Sequence, residues 1–294
     1  MDFSRLLVWC FDLLAHLPLP ALHRLGSALG WLSYWSSKSY ARRLRENLLK
    51  ALQLKDSTHF ESILHTNISE AGKAVLELTW IWRRPLSVVV ASVNHCEGLE
   101  HVEAAYAKGK GVIILTPHLG CFDLISSYIA ARWPITSMYR RPRWKFLDIL
   151  MRQGRERGNA KLVPADVGGV RHMLKALRQG HFIGVLPDQV PGNGEGEWLP
   201  FFGRPAYTMT LIGRLVESSG ATPIMTLAIR APHGEGYTLK FTPLTLNPNE
   251  PAALQINRSL EEAIYSCPEQ YLWSYNRYKV PNGVAAPIAQ ETSK

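Results

Sequence analysis

The sequence has few features that would suit a disulfide scaffold, a zinc module or a membrane span. It is 294 residues long with only four cysteines, and no two of them are spaced as Cys-x-x-Cys. A disulfide framework or a structural zinc site is therefore disfavoured. No apolar run reaches the roughly 20 residues that a spanning helix requires, and the start, "MDFSR", lacks a signal peptide's basic end. These absences favour an intracellular protein with reduced thiols.

Several catalytic and binding motifs are also missing. There is no Gly-x-Ser-x-Gly, which argues against a serine esterase. The stretch "GNGEGE", residues 192–197, lacks both the last glycine of a dinucleotide fingerprint and the Lys-Ser/Thr of a phosphate-binding loop, so we interpret it as a mobile loop. Basic residues do not alternate with a recognisable stacking motif, so nucleic acid is not an expected partner.

What the sequence has is enough apolar material for one large core, and a basic surface. Hydrophobic residues make up 46% and charged residues 19%, with a formal net charge of +9. Such a balance predicts a globular chain with one core, or one core and a small appendage. The positive charge favours anionic partners such as phospholipid headgroups or an acidic protein.

The N-terminus combines apolar helical stretches with a basic cluster. Residues 3–17 and 21–35 are strongly apolar, and residues 37–50 carry five Lys or Arg against one Glu. Three tryptophans suit the headgroup zone of a bilayer: Trp9, Trp31 and Trp35. We therefore expect residues 1–36 to be membrane-associating helices on an anionic leaflet, although ordinary core helices would show much of the same pattern.

Beyond Pro85, short apolar runs alternate with helical patterns. The predicted strands are 87–93, 111–116, 135–140, 161–165, 182–188, 222–230 and 237–246. The predicted helices between them are 98–109, 123–132, 143–157, 168–179, 208–219 and 250–266. This alternation predicts an α/β fold with a mixed, largely parallel central sheet flanked by helices. The last two strands read as an antiparallel hairpin. We expect one domain over 37–282 and a flexible tail over 283–294.

Ligands of such folds collect at the carboxyl ends of the strands. The stretch "TPHLGCFD" follows one strand, "YRRPR" another, and "PDQV" a third. His118 and Asp123 can meet if the histidine lies in the turn after the strand and the acid in the first helical turn, with Gly120 allowing the bend. An Asp–His pair suits general-base chemistry, whereas a loop histidine and a capping aspartate are the plain alternative.

The segment "HLGCFD" fits the H-x-x-x-x-D/E motif of membrane glycerolipid-type acyltransferases. More of the chain resembles one branch, the late acyltransferases of lipid A biosynthesis, in blocks that occur in the same order along nearly the whole chain. These blocks are "ARRLRENL", "GKGVIILTPHLGCFDL", "MYRRPRWKFLDILMRQGRERGN", "LPDQVPGNGEGEWLPFFGRPAYT" and "PEQYLWSYNRYK". Two departures are Asp123, where many members of this branch carry Glu, and "WSYNRYK", where a His-Arg pair is common.

The resemblance implies acyl transfer from an acyl-carrier-protein thioester to a hydroxyl of a lipid A precursor. His118 would be the general base and Asp123 its orienting partner, with backbone amides near Gly120 as candidate oxyanion donors. It implies neither a metal nor another cofactor. It also implies a bacterial inner-membrane location, with anionic lipids as partners and the catalytic domain on the cytoplasmic side.

Further polar residues follow the strands. Arginines suit the phosphates of a lipid A precursor, with Arg155 matching a family arginine best; the others are Arg140, Arg141 and Arg152. Asp188 and Gln189 are candidates for binding polar groups of the substrate, unless Asp188 only caps a turn. Cys121 lies inside the motif, but nothing in the sequence suggests an activated thiolate.

Two other functions remain open on the sequence. The same chemistry could serve another membrane acceptor, such as a phospholipid, glycolipid or aminolipid. A basic peripheral membrane protein without catalysis would also account for the charge, although the polar strand ends argue against a purely structural role.

Overall fold

The computed structural model describes residues 3–53, 56–192 and 194–287. Its helices are α1 Phe3–Ala15, α2 Leu19–Ser36, α3 Lys38–Leu52, α4 Ser57–Arg83, α5 Leu86–Ala91, α6 Leu99–Ala107, α7 Phe122–Ala130, α8 Lys145–Arg155, α9 Val167–Arg178, α10 Leu211–Ser219 and α11 Ala252–Tyr265. Its strands are β1 Val93–Glu97, β2 Val112–Leu115, β3 Ile135–Tyr139, β4 Ala160–Pro164, β5 Phe182–Val185, β6 Gly196–Phe201, β7 Arg204–Met209, β8 Thr222–Arg230 and β9 Tyr237–Pro243.

Seven of these strands form one mixed sheet in the order β1-β9-β8-β2-β5-β3-β4. The five strands from β8 to β4 are parallel to one another, while β9 runs antiparallel to β8 and parallel to β1. All four residues of β2 and of β5 are buried, as continuous apolar strands inside a parallel sheet should be. The predicted α/β architecture, with its mostly parallel sheet and flanking helices, is confirmed.

One predicted strand is wrong, and one predicted loop is shorter than expected. The run "SVVVASV", predicted as a strand, forms most of α5, and β1 begins only at Val93. Pro85 precedes this helix and Val89 is its buried residue. The packing of this short helix therefore outweighs the preference of valine for strands. The segment predicted as a mobile loop, residues 192–197, overlaps the start of β6 at Gly196. Strand β6 pairs with β7, with Gly196 opposite Met209. Asn193 lies outside the described residues.

The N-terminal helices pack directly on the rest of the chain. Gly26 and Gly30 of α2 face Gly72 of α4, and a Cβ on Gly72 would lie 1.9 Å from the carbonyl oxygen of Gly26. Backbone contact this close is possible only between glycines. Residues 19–36, within the segment predicted to associate with membranes, are therefore tightly packed against α4.

The exposure of the N-terminal tryptophans is uneven. Trp9 is 57% and Trp35 72% exposed, whereas Trp31 is half-buried and donates to Ser69. Within the described ranges, no helix combines the length and the hydrophobicity that crossing a bilayer requires.

The predicted C-terminal tail is described only in part. Ala285 accepts a hydrogen bond from the indole of Trp198. Residues 288–294 lie outside the described residues.

A buried cluster of charges joins α4 to the sheet and to the loop that follows β2. The guanidinium of Arg230, at the end of β8, donates to Glu77 (2.8 Å) and to Glu70 (3.1 Å). It also donates to the carbonyl oxygen of Gly120 at 2.7 Å, and the hydroxyl of Tyr237 donates to Glu77 at 3.1 Å. A buried charge needs such partners, so these parts of the chain hold one another in place.

The cluster predicts acid lability. Burial by itself would raise the pKa of Glu77, but Arg230 and His23 outweigh it and lower the pKa from 4.5 to about 2. Because the folded state binds the proton less readily, this stabilisation is complete above pH 4.5 and is lost as the pH falls toward 2. It amounts to about 3 kcal/mol.

Urea unfolding at pH 7, 5, 4, 3 and 2 would measure the loss, which we expect to begin near pH 4.5 and to be nearly complete at about pH 2. A Glu77→Gln variant provides the control, because its free energy of unfolding should be lower at pH 7 and should depend less on pH across that window. Equal pH dependence of the two proteins would contradict the assignment.

Candidate active site

The site lies at the carboxyl ends of β2 and β5. These neighbours are parallel and in register, with Leu115 opposite Val185. His118 and Asp188 each follow three residues after this pair. Parallel pairing therefore brings the two side chains to the same edge of the sheet, although 70 residues separate them along the chain.

His118 and Asp188 form a two-point contact. The ring Nδ1 of His118 lies 2.8 Å from Oδ1 of Asp188, and the backbone N–H of His118 donates to Oδ2 at 2.8 Å. The Asp188 side chain is 2% exposed and that of His118 is 16% exposed. The carboxylate is thus shielded from water while the ring reaches the surface of a cavity.

The charge on Asp188 determines the tautomer of His118. Burial by itself would raise the pKa of Asp188, but the His118 ring and amide together with Arg277 hold that pKa below its usual value. An ionised carboxylate only accepts hydrogen bonds, so the ring proton of a neutral His118 lies on Nδ1. Nε2 then carries a lone pair directed away from Asp188, as a general base requires.

Asp123 has a different partner from the one predicted. Its Oδ1 accepts from Arg155 Nε at 2.6 Å and from Trp82 Nε1 at 3.1 Å, and its Oδ2 accepts from Arg155 Nη2 at 2.7 Å. The sequence predicts Asp123 as the residue that orients His118, whereas the structure places Asp188 against the ring. Spacing along one strand–helix turn carries no information about a carboxylate on the neighbouring strand.

Gly120 makes the tight turn that the sequence predicts. Its φ is +60°, in the left-handed region that favours glycine. A Cβ at this position would lie 2.0 Å from the carbonyl oxygen of Ala228. The loop therefore passes against β8 with no room for a side chain.

The amides of residues 118–121 are engaged within the protein, so these four are not free to bind an oxyanion as the sequence suggests. Every N–H from position 118 to 121 donates to another protein group. The pairs are His118 to Asp188 (2.8 Å), Leu119 to Pro117 (2.7 Å), Gly120 to Gln270 (3.1 Å) and Cys121 to Ala228 (2.8 Å).

A cavity of about 550 Å³ opens at His118. Its polar lining includes His118, Asp123, Arg140, Arg155 and Gln189, and further charged residues there are Asp166, Glu195 and Arg214. Its remaining wall is largely apolar and includes Met138, Leu162, Val170, Val185, Met209 and Leu211. A volume in this range accommodates a substantial organic ligand, and a largely apolar lining with several charged groups suits a molecule that has both an apolar and a polar part.

Two of the four predicted arginines line the cavity and two do not. Arg140 and Arg155 line the cavity, although Arg155 is also paired with Asp123. Arg141 lies 3.7 Å from Asp148. Arg152 donates to Tyr139 at 3.2 Å and to Glu156 at 2.9 Å, contacts that hold α8.

Cys121 is poorly suited to be a nucleophile. It is buried, and burial raises the pKa of its thiol well above the usual value. A thiol attacks as its thiolate, so the environment of Cys121 opposes that role.

The C-terminal segment contributes residues that the sequence does not single out. The hydroxyl of Tyr275 accepts from the backbone N–H of Val190 at 3.0 Å, which fixes the chain just after Gln189. Arg277 is buried and donates to the carbonyl oxygen of Tyr207 at 2.7 Å. Both belong to "WSYNRYK", so membership of a family-like block is the signal that could have found them.

The geometry can be set beside known proteins. Residues 3–280 match the family model for the bacterial lipid A biosynthesis acyltransferases. The chain is 28% identical to a lipid A biosynthesis lauroyltransferase of Escherichia coli, over 92% of this chain and 90% of the relative. It is 27% identical to a palmitoleoyltransferase of the same pathway and organism, over 90% and 86%. It is 28% identical to a lipid A biosynthesis acyltransferase of Haemophilus influenzae, over 90% and 86%.

The family match spans the loop that carries His118, the cavity and the C-terminal segment together. A histidine held by a buried carboxylate beside a half-apolar cavity is an arrangement that acyl transfer to a lipid can use. The chain belongs to the bacterial lipid A biosynthesis acyltransferase family, and it is an acyltransferase.

Proposed function

We propose that this protein transfers a fatty acyl chain from an acyl-carrier-protein thioester to a hydroxyl of a lipid A precursor, with His118 as the general base. The observation that carries the proposal is the pair His118–Asp188, 2.8 Å apart, at the mouth of a half-apolar cavity of about 550 Å³. The family supports the acyl acceptor; the donor and the residue roles rest on the geometry and on the resemblance.

The reaction begins with the acceptor hydroxyl at Nε2 of His118. The ring takes the hydroxyl proton as the oxygen attacks the thioester carbonyl carbon, and the carbonyl electrons move onto oxygen. Asp188 stabilises the imidazolium that forms by accepting the Nδ1 hydrogen bond. The intermediate then collapses, the carbon–sulfur bond breaks, and the leaving thiolate receives the proton from Nε2.

This scheme has no covalent acyl-enzyme. The hydroxyl attacks the donor directly, so both substrates occupy the site together. The buried thiol of Cys121, with its raised pKa, supports direct attack over a route through cysteine.

The cavity wall supports a position for the acyl chain. Apolar side chains from β3, β5, α9 and α10 border one side of it. Burying a methylene there contributes about 0.8 kcal/mol, so a long chain would be held mainly by this wall. The thioester carbon at the head of the chain would then lie near His118.

Arg140 is the arginine best placed for a phosphate of the acceptor. It directly follows β3, is exposed, and lines the cavity. A guanidinium can bind a phosphate through two parallel hydrogen bonds. Arg155, which gives two of its N–H groups to Asp123, would contribute positive charge rather than a free fork.

We further propose that α1 and α2 lie on the anionic cytoplasmic leaflet of a bacterial inner membrane. Exposed apolar residues follow helical spacing on α1 at Leu6, Trp9 and Leu13. On α2 they are Leu25, Leu32 and Trp35. The basic α3 that follows would contact lipid phosphates.

The acyl-transfer reaction is the direct test of function. Purified protein, an acyl-carrier-protein thioester and a tetra-acylated lipid A precursor should give a product heavier by one acyl group in mass spectrometry. His118→Ala should keep its fold, measured by circular dichroism, and lose about 10³-fold or more in kcat because nothing replaces the base. Near-normal turnover by this variant would overturn the role of His118, and acylation of a glycerolipid instead would point to another acceptor.

A pair of amide substitutions separates the two carboxylates. Asp188→Asn should lower kcat by roughly 10²–10⁴-fold, because an amide cannot fix the ring proton on Nδ1 as a carboxylate does. Asp123→Asn is the matched variant. We expect it to weaken the pairing with Arg155 and not the contact between Asp188 and His118. If Asp123→Asn lost activity to that extent while Asp188→Asn stayed near normal, Asp123 would be the orienting residue after all. Thermal melts would check that both variants fold.

Membrane attachment can be tested without deleting the packed helices. Trp9→Asp combined with Leu13→Asp should reduce co-sedimentation with vesicles that contain anionic phospholipid several-fold, since apolar area and charge attraction both weaken. Val280→Asp, at another exposed apolar position, serves as the control. Equal binding by both variants would remove α1 as the contact surface.

A further inference from the structure

In the loop that carries His118, the amides from position 118 to 121 are not free to stabilise an oxyanion. Acyl transfer through a tetrahedral intermediate needs donors aimed at the developing negative oxygen, and backbone amides beside the catalytic residue commonly supply them. Here the four amides from position 118 to 121 already donate to protein acceptors. Releasing one would break the contacts that hold the loop.

A side-chain amide lies at the required place. Nε2 of Gln189 is 3.1 Å from Nε2 of His118, and both side chains line the cavity. The Nδ1–H of His118 donates to Asp188, so Nε2 of a neutral His118 is an acceptor. The Gln189 NH₂ group, not its carbonyl oxygen, therefore faces the ring. A hydrogen-bond donor therefore points at the spot where the acceptor hydroxyl must approach.

The backbone on both sides of Gln189 is also held in place. The preceding residue, Asp188, is buried and held by two hydrogen bonds to His118. The backbone N–H of the following residue, Val190, donates to the Tyr275 hydroxyl at 3.0 Å. A donor whose backbone is anchored in this way needs little reorganisation during the reaction, which is the property that makes such groups effective.

We propose that the side-chain amide of Gln189 donates a hydrogen bond to the oxyanion of the tetrahedral intermediate; this inference rests on the proposed acyl transfer. In the free enzyme the amide donates to His118 Nε2. The incoming hydroxyl displaces it, gives its proton to Nε2, and forms the new carbon–oxygen bond. The carbonyl oxygen, now negative, accepts the freed Gln189 N–H until the carbon–sulfur bond breaks and the thiolate leaves with the proton.

The geometry agrees with this exchange. A hydroxyl oxygen bonded to Nε2 lies about 2.8 Å from it, and a carbonyl carbon poised for attack lies about 3–3.5 Å from that oxygen. A group 3.1 Å from Nε2 is therefore next to the reacting carbon. Gln189 then stabilises charge that exists only in the transition state and the intermediate, and this raises kcat more than substrate affinity.

Gln189→Met tests the donor, because it keeps the length of the side chain and removes its N–H. In the acyl-carrier-protein assay we expect kcat to fall about 10²–10³-fold, with KM for both substrates within about threefold of the unaltered enzyme. Gln179→Met, an exposed glutamine at the end of α9, is the matched control and should leave both constants unchanged.

Gln189→Glu gives a second, independent readout. It should also lose kcat, and the fall of activity on the acid side should move to higher pH, because a carboxylate beside Nε2 favours the protonated ring. Gln189→Met, which adds no charge beside Nε2, should move that pH much less. Separation of the two pH profiles checks that the Gln189 side chain lies beside Nε2, as the oxyanion role requires.

The outcomes are distinguishable. If the unaltered enzyme adds an acyl group and Gln189→Met retains near-normal kcat, the oxyanion assignment is overturned while the proposed function stands. A rise in KM with unchanged kcat would make Gln189 a substrate-binding residue and also overturn it. If the unaltered enzyme transfers no acyl group from the thioester to the precursor, the proposed function fails and this inference fails with it.

Discussion

The buried guanidinium of Arg230 joins three parts of the molecule at one point. It donates to Glu77 and Glu70 on α4 and to the carbonyl oxygen of Gly120, in the loop that carries His118. Removing one partner of a buried ion pair typically costs 3–5 kcal/mol. Helix α4, the sheet and the loop that carries His118 therefore adopt this arrangement together, and α2 is tied to it through the glycine contact with α4.

This firmly held loop contributes mainly the side chain of His118 to the site. Its amides go to neighbouring backbone and to Asp188, so the remaining polar chemistry falls to the end of β5. Asp188 directs the His118 proton, and Gln189 lies beside the free nitrogen. The carboxylate inside the H-x-x-x-x-D motif, Asp123, is committed to Arg155 and Trp82, and this ion pair links α7 to α8 and α4.

Much of the fold follows from local pattern. The buried runs that became β2, β5 and β8 are short, apolar and bounded by turn residues, so their identity as strands was predictable from the sequence. The failures occur where local preference is weak. The valine-rich run before β1 became helical because of how one turn packs, and the β6–β7 hairpin begins in a glycine-rich stretch whose composition alone favours a loop.

The sequence by itself determined the class of fold, the family, the histidine at a strand end and the glycine that turns the chain after it. These features are local, since each depends on residues within a few positions of one another. Only the tertiary structure decided which carboxylate orients His118, where the loop amides donate, and which arginines reach the cavity. The His118–Asp188 contact joins residues 70 positions apart and the Asp123–Arg155 pair residues 32 apart, and strand order rather than sequence spacing sets which residues meet.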